Sequence, residues 1–357
     1  MNPELLCRWL VPPPMQVEVQ VSQPVLVPAD ASDKVLRLTK RPGQGGVYVQ
    51  TPTGRRLRPS TTAVIEKHAI SGAQVELRTN SLGYRGPELG EKTGRRILFL
   101  GDSITFADYL PEEESFVRQV ETLARGKGLD WETVNAGVGS ISLKTELAIL
   151  LETGLSVQPD VVVLGWYLND FQDSPGVEVH SPGFLARHSR LAFALSRLGK
   201  PDPGVGVLQV PWKKWWAEWT QDDLPGLVAG NPERAAFYQE VGTAFYDWGG
   251  AWSPHAWEEM RPLLAEFVRV SRRAGALPVW LAFPARPQVE AAFDASLPQQ
   301  RLAEVADELD VPLLDLLPLL REVDGRTEAP LFYDQCHHTS EASRALAQAI
   351  FTWLETL

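Results

Sequence analysis

The sequence predicts an α/β fold: a parallel sheet with helices packed on both faces, carrying a β-rich N-terminal extension and a Trp-rich helical insertion. Three observations lead there. From residue 95 onward, short apolar runs that fit buried strands alternate with stretches of helical periodicity. Before residue 95 the chain is rich in Pro, Val, Thr and Gln, and its apolar residues recur at period two. Between Asp170 and Pro262 the alternation of strand and helix breaks, and Trp becomes dense.

The elements follow in order. Gln16-Val17-Glu18-Val19-Gln20-Val21 alternates as a half-buried strand does, and Val47-Tyr48-Val49 and Gln74-Val75-Glu76-Leu77 are two further short candidates. Residues 1–94 therefore form an irregular β-rich extension; an independent carbohydrate-binding module is the less favoured reading. The main domain spans 95–357. Its strand candidates are 97–100, 133–134, 161–164, 279–283 and 313–314, and its helical stretches 113–126, 143–153, 258–274, 296–308 and 340–356. The last helix has its own signature. Thr339 or Ser340 can cap it, Glu341 sits in its first turn, and Ala345, Leu346, Ala349, Ile350, Trp353 and Leu354 make an apolar face.

The insertion, residues 171–260, holds Trp212, Trp215, Trp216, Trp219, Trp248, Trp252 and Trp257, seven of the chain's 12. It leaves the sheet at the edge where chemistry is placed, so it is expected to act as a lid. The helical spacing of Trp212, Trp215, Trp216 and Trp219 assigns most of these indoles to packing, with one or two reaching a pocket. His180, His188 and His255 also fall here without partners at a recognisable spacing, and read as surface or packing residues.

Composition narrows the function. With 357 residues, 44% of them hydrophobic, the chain can bury a large core. A net charge of −11 is wrong for a nucleic-acid or anionic-membrane partner, which needs a basic surface. No apolar run reaches the length of a membrane span. The N-terminal residues lack a basic stretch followed by a signal-peptide core, so a cytoplasmic location is expected. Two cysteines, Cys7 and Cys336, make no disulfide framework. Cys336 reads as a packing residue beside its neighbour His337. No Cys/His cluster has metal-ligand spacing, so neither metal nor cofactor is expected.

Ile97-Leu98-Phe99-Leu100 runs straight into Gly101-Asp102-Ser103. A strand there delivers a serine to the carboxyl edge of the sheet, where open α/β folds place their sites. A base for that serine appears more than two hundred residues later, in Asp334-Gln335-Cys336-His337. A carboxylate three positions before a histidine can orient the imidazole from within one short loop. Together these are the parts of a Ser-His-Asp hydrolase. The Gly-x-Ser-x-Gly elbow of α/β-hydrolases is absent around every serine.

In these residues the chain resembles the SGNH/GDSL hydrolase superfamily, specifically a long-form bacterial subgroup with an N-terminal extension and an insertion after the third block. Gly101-Asp102-Ser103 resembles the first block, Asn135-Ala136-Gly137-Val138-Gly139-Ser140 the second, Gly165-Trp166-Tyr167-Leu168-Asn169-Asp170 the third and Asp334-Gln335-Cys336-His337 the fifth. Asn80-Ser81-Leu82-Gly83-Tyr84-Arg85-Gly86 is similar to a segment that precedes the first block in that subgroup. Ser140 stands where relatives often carry Gly, Gly139 where they carry Pro, and Ala342 where many carry Gly.

The resemblance implies a flavodoxin-like, doubly wound sheet with Ser103 as nucleophile, His337 as base and Asp334 as its orienting acid. It implies oxyanion donors from the Ser103 main chain, the Gly139 or Ser140 main chain, and the Asn169 side chain. Asp102 is expected to fix the turn that presents Ser103, and Asp170 to be structural. The expected activity is hydrolysis of O-acyl esters, with small acyl groups on carbohydrate first and lipid-like alcohols second. An O-acyltransferase using the same triad and a non-catalytic binding protein are the two rival readings. Oligomeric state, acyl length and the alcohol are not set by the sequence.

Overall fold

The computed structural model describes residues 18–20, 36–38, 47–171, 178–180, 250–252, 254–290 and 296–357. Its centre is a five-stranded sheet of β7 (Arg95–Gly101), β8 (Trp131–Asn135), β9 (Val161–Trp166), β11 (Leu277–Ala282) and β12 (Leu313–Asp315). The spatial order is β12-β11-β9-β7-β8, and every neighbouring pair is parallel. Counted along the chain this is the flavodoxin-like order 2-1-3-4-5. The strand path reverses after β8, and under the right-handed crossover rule this reversal places the helices before and after it on opposite faces of the sheet.

The helices are α1 (Ser103–Phe106), α2 (Phe116–Gly126), α3 (Leu143–Glu152), α4 (Pro254–Arg273), α5 (Arg286–Glu290), α6 (Leu297–Glu308), α7 (Leu317–Asp324) and α8 (Ser340–Leu354). One layer pairs α2 with α8, and the other pairs α3 with α4. Helices on both faces explain the apolar runs. In β9 all six residues are buried, and in β7 all but Arg95, as expected of strands covered on both sides.

Most predicted elements are present with shifted ends. Thr339, not Ser340, caps α8, its hydroxyl accepting the Ala342 N–H. The buried face of α8 runs through Ala342, Ser343, Leu346, Ala347, Ile350, Phe351 and Leu354, so it is rotated from the expected one. Ala345, Ala349 and Trp353 lie half-exposed at its border. Helix α7 was not expected from the sequence. Its Pro318 sits in the first turn, where no N–H is needed.

Residues 47–86 wrap the β8 edge. Strands β3 (Tyr48–Thr51) and β4 (Gly54–Leu57) form a hairpin, and β5 (Thr62–Ile65) pairs antiparallel with β6 (Val75–Arg78). In β6, Val75 and Leu77 are buried while Glu76 and Arg78 are exposed, the period-two pattern read from the sequence. Outlying strands β1 (Glu18–Gln20) and β2 (Leu36–Leu38) pair with β10 (Glu178–His180) and with β5. Arg85 donates its main-chain N–H to Asn135 O at 3.0 Å, which docks the segment onto β8. Val47, Leu57, Ala63, Leu77 and Tyr84 then join the same apolar core as the sheet.

Of the seven insertion tryptophans, Trp212, Trp215, Trp216, Trp219 and Trp248 lie outside the described residues, and with them the expected lid. Trp252 and Trp257 are buried in the main core. Trp257 packs on Trp166 at 5.7 Å and Phe171 at 5.1 Å between ring centroids, and donates its indole N–H to Ala251 O at 2.8 Å. His188 falls outside the described residues, as do the side chains of His180 and His255. Among the described residues no helix is long and apolar enough to cross a membrane.

Candidate active site

The site is assembled at the carboxyl ends of β7, β8 and β9. Strand β7 ends at Gly101, and Asp102 caps the short helix α1, its Oδ1 accepting the Ile104 N–H at 2.8 Å. This turn presents Ser103 as the first residue of α1. The turn is tight because a buried threonine fills it. A Cβ on Gly101 would lie 2.1 Å from Thr105 Oγ1, and one on Gly165 of β9 would lie 2.5 Å from the same atom.

The segment after β8 is held against α1. The Asn135 amide donates to Thr105 O at 2.8 Å, and its Oδ1 accepts the Gly137 N–H at 3.0 Å. Val138 N–H donates to Gly101 O at 3.1 Å. Gly139 and Ser140 then turn, with Ser140 exposed at φ 57°. The hairpin of the extension supports this turn from outside: Arg55 donates to Gly139 O at 3.0 Å, and a Cβ on Gly139 would lie 2.6 Å from the Tyr48 hydroxyl.

After β9, Asp170 Oδ2 accepts the Tyr167 N–H at 3.2 Å, and Asp170 O accepts the first N–H of α3, from Leu143, at 3.4 Å. The loop so fixed aims Asn169 at the Ser103 turn, where its Nδ2 donates to Asp102 Oδ2 at 2.8 Å. An amide nitrogen carries two hydrogens, so this bond leaves one to give. Asp102 is thus the junction of the first and third segments.

Asp102, Glu146 and Asp170 are all buried and form an acidic group behind Ser103. Burial raises the Asp102 carboxyl above its ordinary value, against the opposing pull of the Ile104 N–H, the Asn169 amide, His337 and the Ser103 N–H. Burial also raises Glu146, helped by the charges of Asp170 and Asp102, and raises Asp170, helped by Asp102. Glu146, in the first turns of α3, carried no signal in the sequence that would have linked it to the other two.

The loop after Pro330 completes the arrangement. His337 Nε2 lies 2.9 Å from Ser103 Oγ, and His337 Nδ1 lies 2.7 Å from Asp334 Oδ2. Asp334 Oδ1 accepts the main-chain N–H groups of Cys336 at 3.0 Å and His337 at 2.9 Å. Burial alone would raise the Asp334 carboxyl. The hydrogen bond and charge of His337 and the two main-chain donors outweigh it, and hold the carboxyl at about 2. An ionised acceptor at Nδ1 keeps the proton there and leaves the Nε2 lone pair facing the serine O–H.

The adjacent His338 differs. It is buried against Phe332 at 4.9 Å and Phe283 at 5.8 Å, and burial, together with the charge of His337, lowers its pKa to about 3 against the opposing charge of Asp334. It stays neutral in the core. Cys336 is buried, with Sγ 3.5 Å from His337 Nδ1. Asp334, Cys336 and His337 bring possible ligand atoms within 4.8 Å of one another, but the carboxylate and Nδ1 already bond to each other there.

Ser103, Asp334, His337, Asn169, Asp102 and the Gly139–Ser140 turn therefore meet at one sheet edge, although they come from four separated stretches of chain. A serine hydroxyl bonded to an imidazole that a carboxylate orients can be deprotonated for attack on an electrophilic carbonyl. Tyr109 was not singled out from the sequence, yet its ring lies 4.9 Å from that of His337.

No protein-family model and no curated relative matches the chain. Among solved structures, TesA aligns over 73% of this chain and 99% of its own, with 15% identity and a TM-score of 0.42. The acetylxylan esterase Axe2 from Geobacillus stearothermophilus aligns over 74% of this chain and 95% of its own, at 16% identity and a TM-score of 0.43. The psychrotrophic esterase EstA from Pseudoalteromonas sp. aligns over 73% and 97%, at 13% identity and a TM-score of 0.38. The fold assignment rests on the strand order itself.

Proposed function

We propose that the chain is a serine ester hydrolase of the SGNH/GDSL type, working through an acyl-enzyme on Ser103. The observation that carries this reading is the continuous line from Ser103 Oγ through His337 to the Asp334 carboxylate, at 2.9 and 2.7 Å.

His337 Nε2 takes the Ser103 proton as Oγ attacks the acyl carbonyl, and the imidazolium so formed is stabilised by Asp334 across the 2.7 Å bond. The same proton passes to the leaving alcohol as the tetrahedral intermediate collapses. Water then repeats the sequence on the acyl-serine and releases the acid. Negative charge on the carbonyl oxygen is met by the free N–H of the Asn169 amide, the Gly139 or Ser140 main-chain N–H, and the Ser103 N–H. The last of these faces the Asp102 carboxylate, so the oxyanion competes with Asp102 for it. The substrates are O-acyl esters, small acyl groups on carbohydrate or on lipid-like alcohols.

The test is hydrolysis of p-nitrophenyl esters from acetyl to long-chain acyl, with wild type beside Ser103→Ala. Ester cleavage by the wild type that disappears in the variant supports the serine mechanism. Equal rates in the two proteins would refute it.

A further inference from the structure

Tyr109 is wholly buried, six residues after Ser103, and belongs to the loop that leaves α1. Its ring meets the His337 ring edge-on, with centroids 4.9 Å apart and planes at 68°. This is the favoured geometry of an aromatic pair. The hydroxyl lies by the His338 main-chain N–H, the next residue of the same loop. Behind it stand Tyr333 at 6.1 Å and His68 at 6.4 Å. The imidazole is thus held at its two nitrogens by Ser103 and Asp334 and on its flank by one ring.

That ring needs an anchor, because its loop is not regular structure. Helix α1 has four residues and ends at Ala107 with φ 50°. The carbonyls beyond it have no intrahelical partners. Arg85, 3% exposed, fills this role. Its guanidinium donates to Phe106 O at 2.8 Å, Ala107 O at 2.5 Å and Leu110 O at 2.6 Å. His68 supports the same loop. Its Nδ1 accepts the Ile70 N–H at 3.2 Å, which leaves Nε2 facing Asp108 at 3.5 Å.

A buried guanidinium is costly to desolvate, and its three hydrogen bonds to Phe106, Ala107 and Leu110 go to main-chain oxygens of this one loop. A planar fork reaches carbonyls set apart along the loop from two different nitrogens, whereas the three donors of an ammonium all sit on one atom.

We propose that Tyr109 is a positioning residue for His337, and that Arg85, from the Asn80–Gly86 segment, clamps the loop that holds it there. The N-terminal segment is then part of the catalytic apparatus. Its arginine acts on the imidazole through one intervening ring and touches no substrate. The kinetic side of this role rests on His337 being the base of the proposed esterase; the placement of the ring does not.

The experiment reads the ring directly. The proton on His337 Nδ1, bonded to Asp334, gives a far-downfield NMR resonance, assigned by its loss in His337→Gln. In Tyr109→Phe the aromatic flank remains and the resonance should persist. In Tyr109→Leu its exchange with water should rise about tenfold, the order of one lost aromatic pair, while circular dichroism reports a folded chain. Arg85→Lys, which keeps the buried charge but not the three-carbonyl fork, should also accelerate exchange. If Tyr109→Leu does not fold, this variant decides. Exchange unchanged from wild type in whichever of the two is folded would overturn the proposal. Labelling of wild type by a fluorophosphonate is run alongside. Its absence would count against the esterase reading and leave the NMR result on Tyr109 standing.

Discussion

Asp334→Asn separates what the carboxylate does for the loop from what it does for the imidazole. In the wild type, Oδ1 accepts two main-chain N–H groups and Oδ2 faces His337 Nδ1 at 2.7 Å. An asparagine keeps Oδ1 and both main-chain bonds, so the loop retains its shape. The atom facing Nδ1 becomes a donor. Oδ1 also lies 2.9 Å from Nδ1, but it already accepts the two main-chain N–H groups. The neutral ring therefore meets the new donor by moving its proton to Nε2, and Nε2 then has no lone pair for the Ser103 hydroxyl 2.9 Å away. The stability cost is one charge-assisted bond, about 1.5–3 kcal/mol. The kinetic cost is far larger: a triad locked in the wrong tautomer loses about 10⁴-fold in kcat, or roughly 5.5 kcal/mol of transition-state stabilisation. The assay is kcat on p-nitrophenyl acetate at neutral pH, beside a thermal melt of both proteins. A folded Asp334→Asn within tenfold of wild-type kcat would refute the tautomer argument.

Other perturbations follow from the same geometry. Asn169→Ala should lower kcat by about 100- to 1000-fold through the lost oxyanion donor. It should also lower the melting temperature, because buried Asp102 Oδ2 loses its amide partner. Gly137→Ala puts a Cβ 2.4 Å from Phe106 N and 2.8 Å from Thr105 C, both main-chain atoms of α1. Overpacking of this kind should cost about 1–3 kcal/mol in denaturant unfolding, and it should displace Ser103; an unaltered midpoint would contradict the packing described. Acid should destabilise the chain through His338, whose folded pKa of about 3 is below its ordinary 6.5. As pH falls below 6.5 the unfolded chain binds this proton and the folded chain does not, so stability should drop by up to about 1.4 kcal/mol per pH unit. Unfolding free energies of wild type and His338→Phe across that range check it, the variant losing this slope. The Asp334 contribution runs lower, present above its ordinary carboxylate value and lost as pH falls through about 2.

Much of the site was legible because its parts are local. A strand ending in Gly101-Asp102-Ser103 and an acid three residues before a base each act through their own short loop, so spacing alone carries the chemistry. The parallel strands β7, β9 and β11 read clearly as apolar runs because both faces of the sheet are covered. Only residues 133–134 of β8 stood out, its sequence being Trp131-Glu132-Thr133-Val134-Asn135. What stayed hidden depends on contacts between distant stretches. Nothing in the spacing of Arg85 or Tyr109 tells that one grips the loop of the other, 24 residues on. Glu146 joins Asp102 and Asp170 only through the packing of α3 beneath the third segment. Helix α7 escaped because its Leu-rich run also fits a strand, and short apolar runs do not decide between the two. The rotated face of α8 has a similar cause: Ala345 and Ala349 are apolar, but the helices α2 and α7 beside it cover the stripe through Leu346 and Ile350 instead.

The central claim is that Ser103 is a nucleophile because His337 makes it one. It is tested most directly by intact-mass and peptide mapping after exposure to a fluorophosphonate, in wild type, Ser103→Ala and His337→Ala. The account predicts one adduct per wild-type chain, on Ser103, no adduct in Ser103→Ala and greatly slowed labelling in His337→Ala. A folded wild type that takes no label, or labelling of Ser103 at the wild-type rate without His337, would contradict it.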